Sequence, residues 1–128
     1  MTKFDLSFDP PAPITTIAMR IIEGGERLRD VKMLLDTGSD ITLLPRASIK
    51  ALGINPSGIN EYELVGFDGH ITKSKIFHLQ VIFIGKRFTG NFCVIDDAVG
   101  IIGRDILNQI PILYDGPNLE WNEVQSPQ

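Results

Sequence analysis

The sequence predicts an all-β fold: a small closed barrel or sandwich with one or two short helices. Strand-length runs rich in Ile, Val, Phe and Thr recur along the chain, as in "ITTIAMRII" and "FHLQVIFI". Glycine-bearing turn signals separate them, at Gly24-Gly25, Asp68-Gly69, Gly85-Lys86 and Asp115-Gly116. Only two segments carry helix punctuation, and both are short. With 128 residues and no repeat, low-complexity tract or long internal linker, the chain reads as one domain, 1–128.

Each element follows from its residues. "KFDLSF" alternates Phe4, Leu6 and Phe8 with polar neighbours, a strand period. "DPPAP" ends it, because proline lacks the amide donor and fixes φ. "ITTIAMRII" is a strand, "EGGE" a turn, and "RLRDVKMLL" a second strand whose alternation of Leu28, Val31 and Met33 is imperfect. "PRASIKALG" puts Pro45 at the start and Gly53 at the end of a two-turn helix. Strand then follows strand from Asn60 to Ile95, divided at Asp68-Gly69 and Gly85-Lys86. "GRDILNQ" predicts a second short helix and "IPILYDGPNLEWNEV" a closing hairpin. The tail from 125 to 128 is expected to be disordered.

Composition excludes several functions. Net charge is −4, and no basic stripe is available to neutralise phosphates, so nucleic acid is not an expected partner. One cysteine, Cys93, allows no internal disulfide, and neither histidine has zinc-ligand spacing to an acid; no metal or cofactor is expected. No apolar run reaches the ~20 residues of a membrane helix. The N-terminus carries acids where a signal peptide needs its apolar core. The expectation is a soluble, cytoplasmic protein that does not engage membranes.

One stretch raises a chemical question. In "MLLDTGSDITLLP", residues 33 to 45, an apolar strand end delivers a carboxylate, Asp36, into a tight turn. Gly38 permits close backbone approach, and Thr37 and Ser39 supply hydroxyls. Two readings stand side by side. Asp36 is a turn-capping residue, or it is a reactive acid whose environment is costly to build. Calcium and phosphate loops do not match, because the segment turns apolar where ligands should continue and lacks the glycine spacing.

"LLDTGSD" resembles the catalytic signature of the aspartic proteases. "GIIGRDIL", residues 100 to 107, resembles the second signature of the retropepsin-like branch, and "LVGFDGHI", residues 64 to 71, lies where that family keeps its flap hairpin. The resemblance spans about residues 14 to 124. Its closing hairpin is more similar to free-standing cellular and bacterial members than to a viral polyprotein fragment.

The family likeness implies a role for each position. Asp36, with Thr37 and Gly38, would be catalytic. The chain carries this triplet once, so the partner acid would be Asp36 of a second copy, in a two-fold homodimer. Thr37 would lock the two loops together and Gly38 would bond substrate backbone. Ser39 would hydrogen-bond the outer oxygen of Asp36, and Asp40 would pair with Arg104. Ser39 and Asp40 would also border the substrate, as would Ile102. Gly66, Phe67, Asp68 and Gly69 would form the flap tip over an extended peptide. Gly103, Arg104 and Asp105 would support the loop. Pepstatin-like inhibitors would bind. The implied activity is peptide-bond hydrolysis by an activated water; the alternative is a dimeric peptide-binding module of the same fold with little or no turnover.

Overall fold

The computed structural model describes residues 2–58, 61–66 and 68–125. Its elements are β1 (Thr2–Lys3), β2 (Ile14–Arg20), β3 (Leu28–Leu35), β4 (Leu43–Pro45), α1 (Arg46–Leu52), β5 (Glu61–Val65) and β6 (Ile71–Lys75). They continue with β7 (Phe77–Phe83), β8 (Lys86–Ile95), β9 (Gly100–Ile102), α2 (Arg104–Leu107), β10 (Ile112–Asp115) and β11 (Glu120–Glu123). Six strands close a barrel in the order β2-β3-β9-β4-β8-β7. The strand period fills its core. Phe77, Leu79, Val81 and Phe83 alternate inward along β7, against Ile17, Met19, Met33, Phe92 and Val94. Burying each such side chain contributes about 1.5–3 kcal/mol.

One feature of the topology makes the site. Strands β3 and β4 are consecutive in sequence but are not neighbours in the barrel. β9 lies between them, parallel to β3 with Leu35 opposite Ile102, and antiparallel to β4 at Leu43 and Ile101. Residues 36–42 must therefore arch over the end of β9. The insertion is tight: a Cβ on Gly100 would come within 2.6 Å of the Leu43 carbonyl oxygen.

Outside the barrel lie two smaller sheets. β5 and β6 form a two-stranded hairpin, and β1, β11 and β10 form a three-stranded sheet in that order. Helix α1 ends at Gly53, whose left-handed φ of 70° lets its amide reach the carbonyls of Ile49 and Lys50. No helix among the described residues is long and apolar enough to cross a membrane.

Several local expectations shift. The strand expected over Phe4–Phe8 is confined to Thr2–Lys3, because the Asp5 carboxylate accepts from both the amide (2.9 Å) and hydroxyl (2.6 Å) of Ser7 and turns the chain. Phe4 is buried, while Leu6 is 72% exposed. The imperfect alternation in β3 is a bulge. Ile17 faces Val31 but Met19 faces Leu28, so one extra residue is absorbed next to Asp30, whose φ is 59°. The turn expected at Gly85-Lys86 sits one residue earlier. Phe83 pairs with Lys86, and Ile84 and Gly85 both take positive φ, as a tight hairpin of this twist requires. Of the expected disordered tail, residues 126–128 lie outside the described residues.

Candidate active site

Asp36 is the first residue past β3, and its amide donates to the carbonyl of Ile102 at 3.0 Å, carrying the β3–β9 ladder one step beyond the strand. Its side chain is half-buried. The oxygen Oδ1 accepts the Gly38 amide at 2.9 Å, and the Asp36 carbonyl accepts the Ser39 amide at 3.2 Å. The turn-capping geometry is therefore present, and it fixes the orientation of the carboxylate.

The arch is riveted to the second signature. The Arg104 amide donates to the Ser39 carbonyl at 2.8 Å, and the Arg104 guanidinium to the Thr37 carbonyl at 2.7 Å. The Asp105 carboxylate accepts the Thr42 amide (3.0 Å), the Thr42 hydroxyl (2.7 Å) and the Ile106 amide (2.9 Å). The Thr42 hydroxyl in turn accepts the Gly103 amide at 3.1 Å. Gly103 is obligatory beneath the arch, because a Cβ there would collide with the Ile41 carbonyl. Gly103, Arg104 and Asp105 thus hold the loop that carries Asp36.

Three expected roles change. Arg104 spends its guanidinium contact on Thr37; among the described residues Asp40 forms no ion pair. The Ser39 hydroxyl donates to the Ile41 carbonyl at 2.7 Å, so its proton is committed within the arch and not to Asp36. Ile102 is 0% exposed and belongs to the core, whereas its neighbour Ile101 faces the groove. Alternation forces this choice: only one of two successive strand residues can point out of the barrel.

Sequence reasoning missed Thr42, which is 1% exposed and central to the rivet. A hydroxyl inside the apolar run "ITLL" is its one trace in the sequence, and that trace names no partner. It also missed Ser74, buried in β6, whose hydroxyl accepts the Val94 amide at 3.0 Å and anchors the β5–β6 hairpin to the barrel.

Two cavities meet at Asp36. A groove of about 220 Å³ is lined by Asp36, Gly38, Ser39, Asp40, Ile101 and the hairpin residues Val65 and Gly66. The hairpin therefore roofs the carboxylate. Its tip is closed by Gly66 N–H to His70 O (2.9 Å), Gly69 N–H to Gly66 O (3.0 Å) and the Asp68 carboxylate accepting the His70 amide (2.9 Å). Gly69 takes φ of 81°, which glycine alone adopts freely. Phe67, expected at this tip, lies outside the described residues. On the other side of Asp36 a larger cavity, about 500 Å³, is walled by Leu35, Thr37, Leu107, Ile110, Ile112 and Tyr114.

Asp36 thus stands on an arched loop that is riveted to a Gly-Arg-Asp turn and faces a glycine hairpin. The model of the family described as aspartyl protease matches residues 18–106, and the chain belongs to that family. Among solved structures it is similar to the EIAV protease complexed with the inhibitor HBY-793. The TM-score is 0.56 at 24% identity, over 77% of this chain and 86% of that one, a likeness of fold. No curated protein matches the sequence significantly.

Proposed function

We propose that two copies of this chain form one aspartic endopeptidase site, each contributing its Asp36. The observation that carries the reading is the position of Asp36 on the wall between a groove bordered by the β5–β6 hairpin and a larger, mainly apolar cavity, in a chain with one Asp-Thr-Gly triplet. A roofed groove fits an extended peptide, whose backbone can bond Gly38 below and Gly66 above. Two carboxylates ~3 Å apart cannot both ionise and share one proton. The ionised member takes a proton from a water as it attacks the peptide carbonyl. The protonated member polarises that carbonyl, and a proton then passes to the leaving nitrogen. The paired acids titrate as a unit, so activity falls as pH rises and the shared proton is lost. Val65 and Ile101 bring apolar surface to the substrate's side chains, and pepstatin-like inhibitors fit the same groove.

Mixed dimers test this reading. Excess Asp36→Asn added to a fixed amount of wild type should suppress pepstatin-sensitive cleavage of a peptide library, once subunits have exchanged. A separate site in each chain predicts no suppression. Full dimer formation with no cleavage of any peptide would favour a binding module instead.

A further inference from the structure

The acids around the arch and the hairpin tip differ in what they hold. Asp36 accepts the Gly38 amide at 2.9 Å, and Asp68 accepts the His70 amide at 2.9 Å. Asp105 accepts two donors from Thr42 and the Ile106 amide. Each of these carboxylates shapes the chain. Asp40 does not: among the described residues its carboxylate accepts no hydrogen bond and forms no ion pair. Its polar neighbours are spent elsewhere. The Ser39 hydroxyl donates to the Ile41 carbonyl, and the Arg104 guanidinium to the Thr37 carbonyl. The contact that gives Arg104 to a carbonyl leaves Asp40 without a partner of its own.

Asp40 nevertheless lines the 220 Å³ groove, with Asp36, Ile101 and Val65. Among the described residues no lysine or arginine lines that groove. On the hairpin, Lys73 and Lys75 stand opposite Glu63 and Glu61, so carboxylates of their own face them. The chain as a whole carries a net charge of −4, and its field favours cationic ligands over anionic ones. A peptide laid in the groove must cover Asp40. An apolar side chain would strip water from the carboxylate and give nothing back, and an acidic one would repel it. A lysine or arginine replaces that water with a charge-assisted hydrogen bond.

We propose that Asp40 selects the substrate: the groove takes peptides that present a lysine or arginine to Asp40 and an apolar side chain to Val65 and Ile101. The inference rests on the reading of this groove as the peptide site, and it names the substrate class of that site. With one Asp40 in each copy, basic residues are favoured at matching distances on both sides of the cleaved bond. Asp40 is exposed, so the preference is modest, about two- to fivefold, as for an ion pair in contact with water. It weakens as salt screens the pair.

Binding tests the selection without relying on catalysis. Dye-labelled apolar peptides of one sequence, carrying Lys, Gln or Glu at each position around the central bond in turn, are titrated against the full Asp36→Asn chain at pH 6. At one position and its two-fold mate, Lys should bind more tightly than Gln by the factor above, and Glu more weakly than Gln. High salt should shrink the difference. Adding Asp40→Asn should bring the ratio of Lys to Gln affinity to one, and adding Asp40→Lys should turn the order in favour of Glu. Because Asp40 holds no bond, both variants should keep the parent melting temperature. In the wild-type chain kcat/KM should follow the same order as binding. A Lys preference that survives Asp40→Asn, a ratio of one at every position, a large loss of stability in both Asp40 variants, or no binding of any peptide would each overturn the proposal. Ordered binding with no cleavage by wild type would leave Asp40 as the selector and remove the protease reading alone. Cleavage blind to charge would do the reverse.

Discussion

The floor and the roof of the groove are held by opposite means. The floor, residues 36–42, arches over β9 and is tied by Arg104, Asp105 and the Gly103 amide through bonds of 2.7–3.1 Å spanning some 60 residues of sequence. The roof, β5 and β6, forms its own two-stranded sheet, with one apolar cross-strand pair, Val65 opposite Ile71, both residues exposed. Among the described residues its bonds are local to the hairpin, apart from the Ser74 anchor at its base. A two-stranded ribbon is marginal alone in water. The difference separates two tasks. A reacting carboxylate must be held to a fraction of an ångström, whereas a cover must open for a chain to enter.

Breaking the floor should have the largest effect. Thr42→Val keeps the shape but strips the Asp105 carboxylate of one donor and the Gly103 amide of its acceptor. Leaving such groups buried and unpaired costs about 3 kcal/mol in total. The urea midpoint should drop with an unchanged slope, and cleavage should fall with it. A variant as stable as wild type would mean that the arch stands without this rivet.

Straining the roof should matter less to stability than to turnover. Gly69→Ala forces a Cβ into φ of 81°, at ~1–2 kcal/mol. That strain sits in a hairpin that opens locally, so the melting temperature should shift little while kcat/KM drops several-fold. An equal loss in both would show that floor and roof unfold as one unit, against the division drawn above.

What was legible in the sequence follows the same division between local and topological causes. Asp36, Gly38 and the Asp68-Gly69 tip announce themselves because short-range chemistry, a tight turn or a positive φ, selects the residue type, whereas the need for Gly103 comes from the Ile41 carbonyl passing over it. Thr42 does not, because its role arises only when β9 slips between β3 and β4, and nothing in "ITLL" encodes a strand some 60 residues away. Ile101 and Ile102 are identical in type, and barrel parity alone sends one to the groove and the other to the core. Phe4, Leu6 and Phe8 satisfy a strand pattern that Asp5 and Ser7 defeat through two hydrogen bonds. The family likeness implied Asp40 as the partner of Arg104, but the geometry gives its guanidinium the Thr37 carbonyl.

The smallest effect is expected far from both regions, and it marks their limits. Arg46, at the start of α1, pairs with Asp96 on the surface after β8. The hydrogen bond from Arg46, and then its charge, hold the Asp96 carboxyl below its ordinary value of 3.8. A carboxyl depressed in the folded state stabilises the fold at pH above its unfolded value, and that contribution is lost as pH falls through the folded value. The pair is exposed, and water and salt screen it. Asp96→Asn should therefore lower the melting temperature slightly at pH 6, and the difference should shrink as pH falls below 3.8 and through the folded value. Cleavage should be unchanged at every pH where wild type is active, because neither residue touches the arch, the hairpin or either cavity at Asp36. A clear loss of turnover in Asp96→Asn at unchanged stability would mean that the loop after β8 couples to β9, and that the floor extends further round the barrel than its hydrogen bonds indicate.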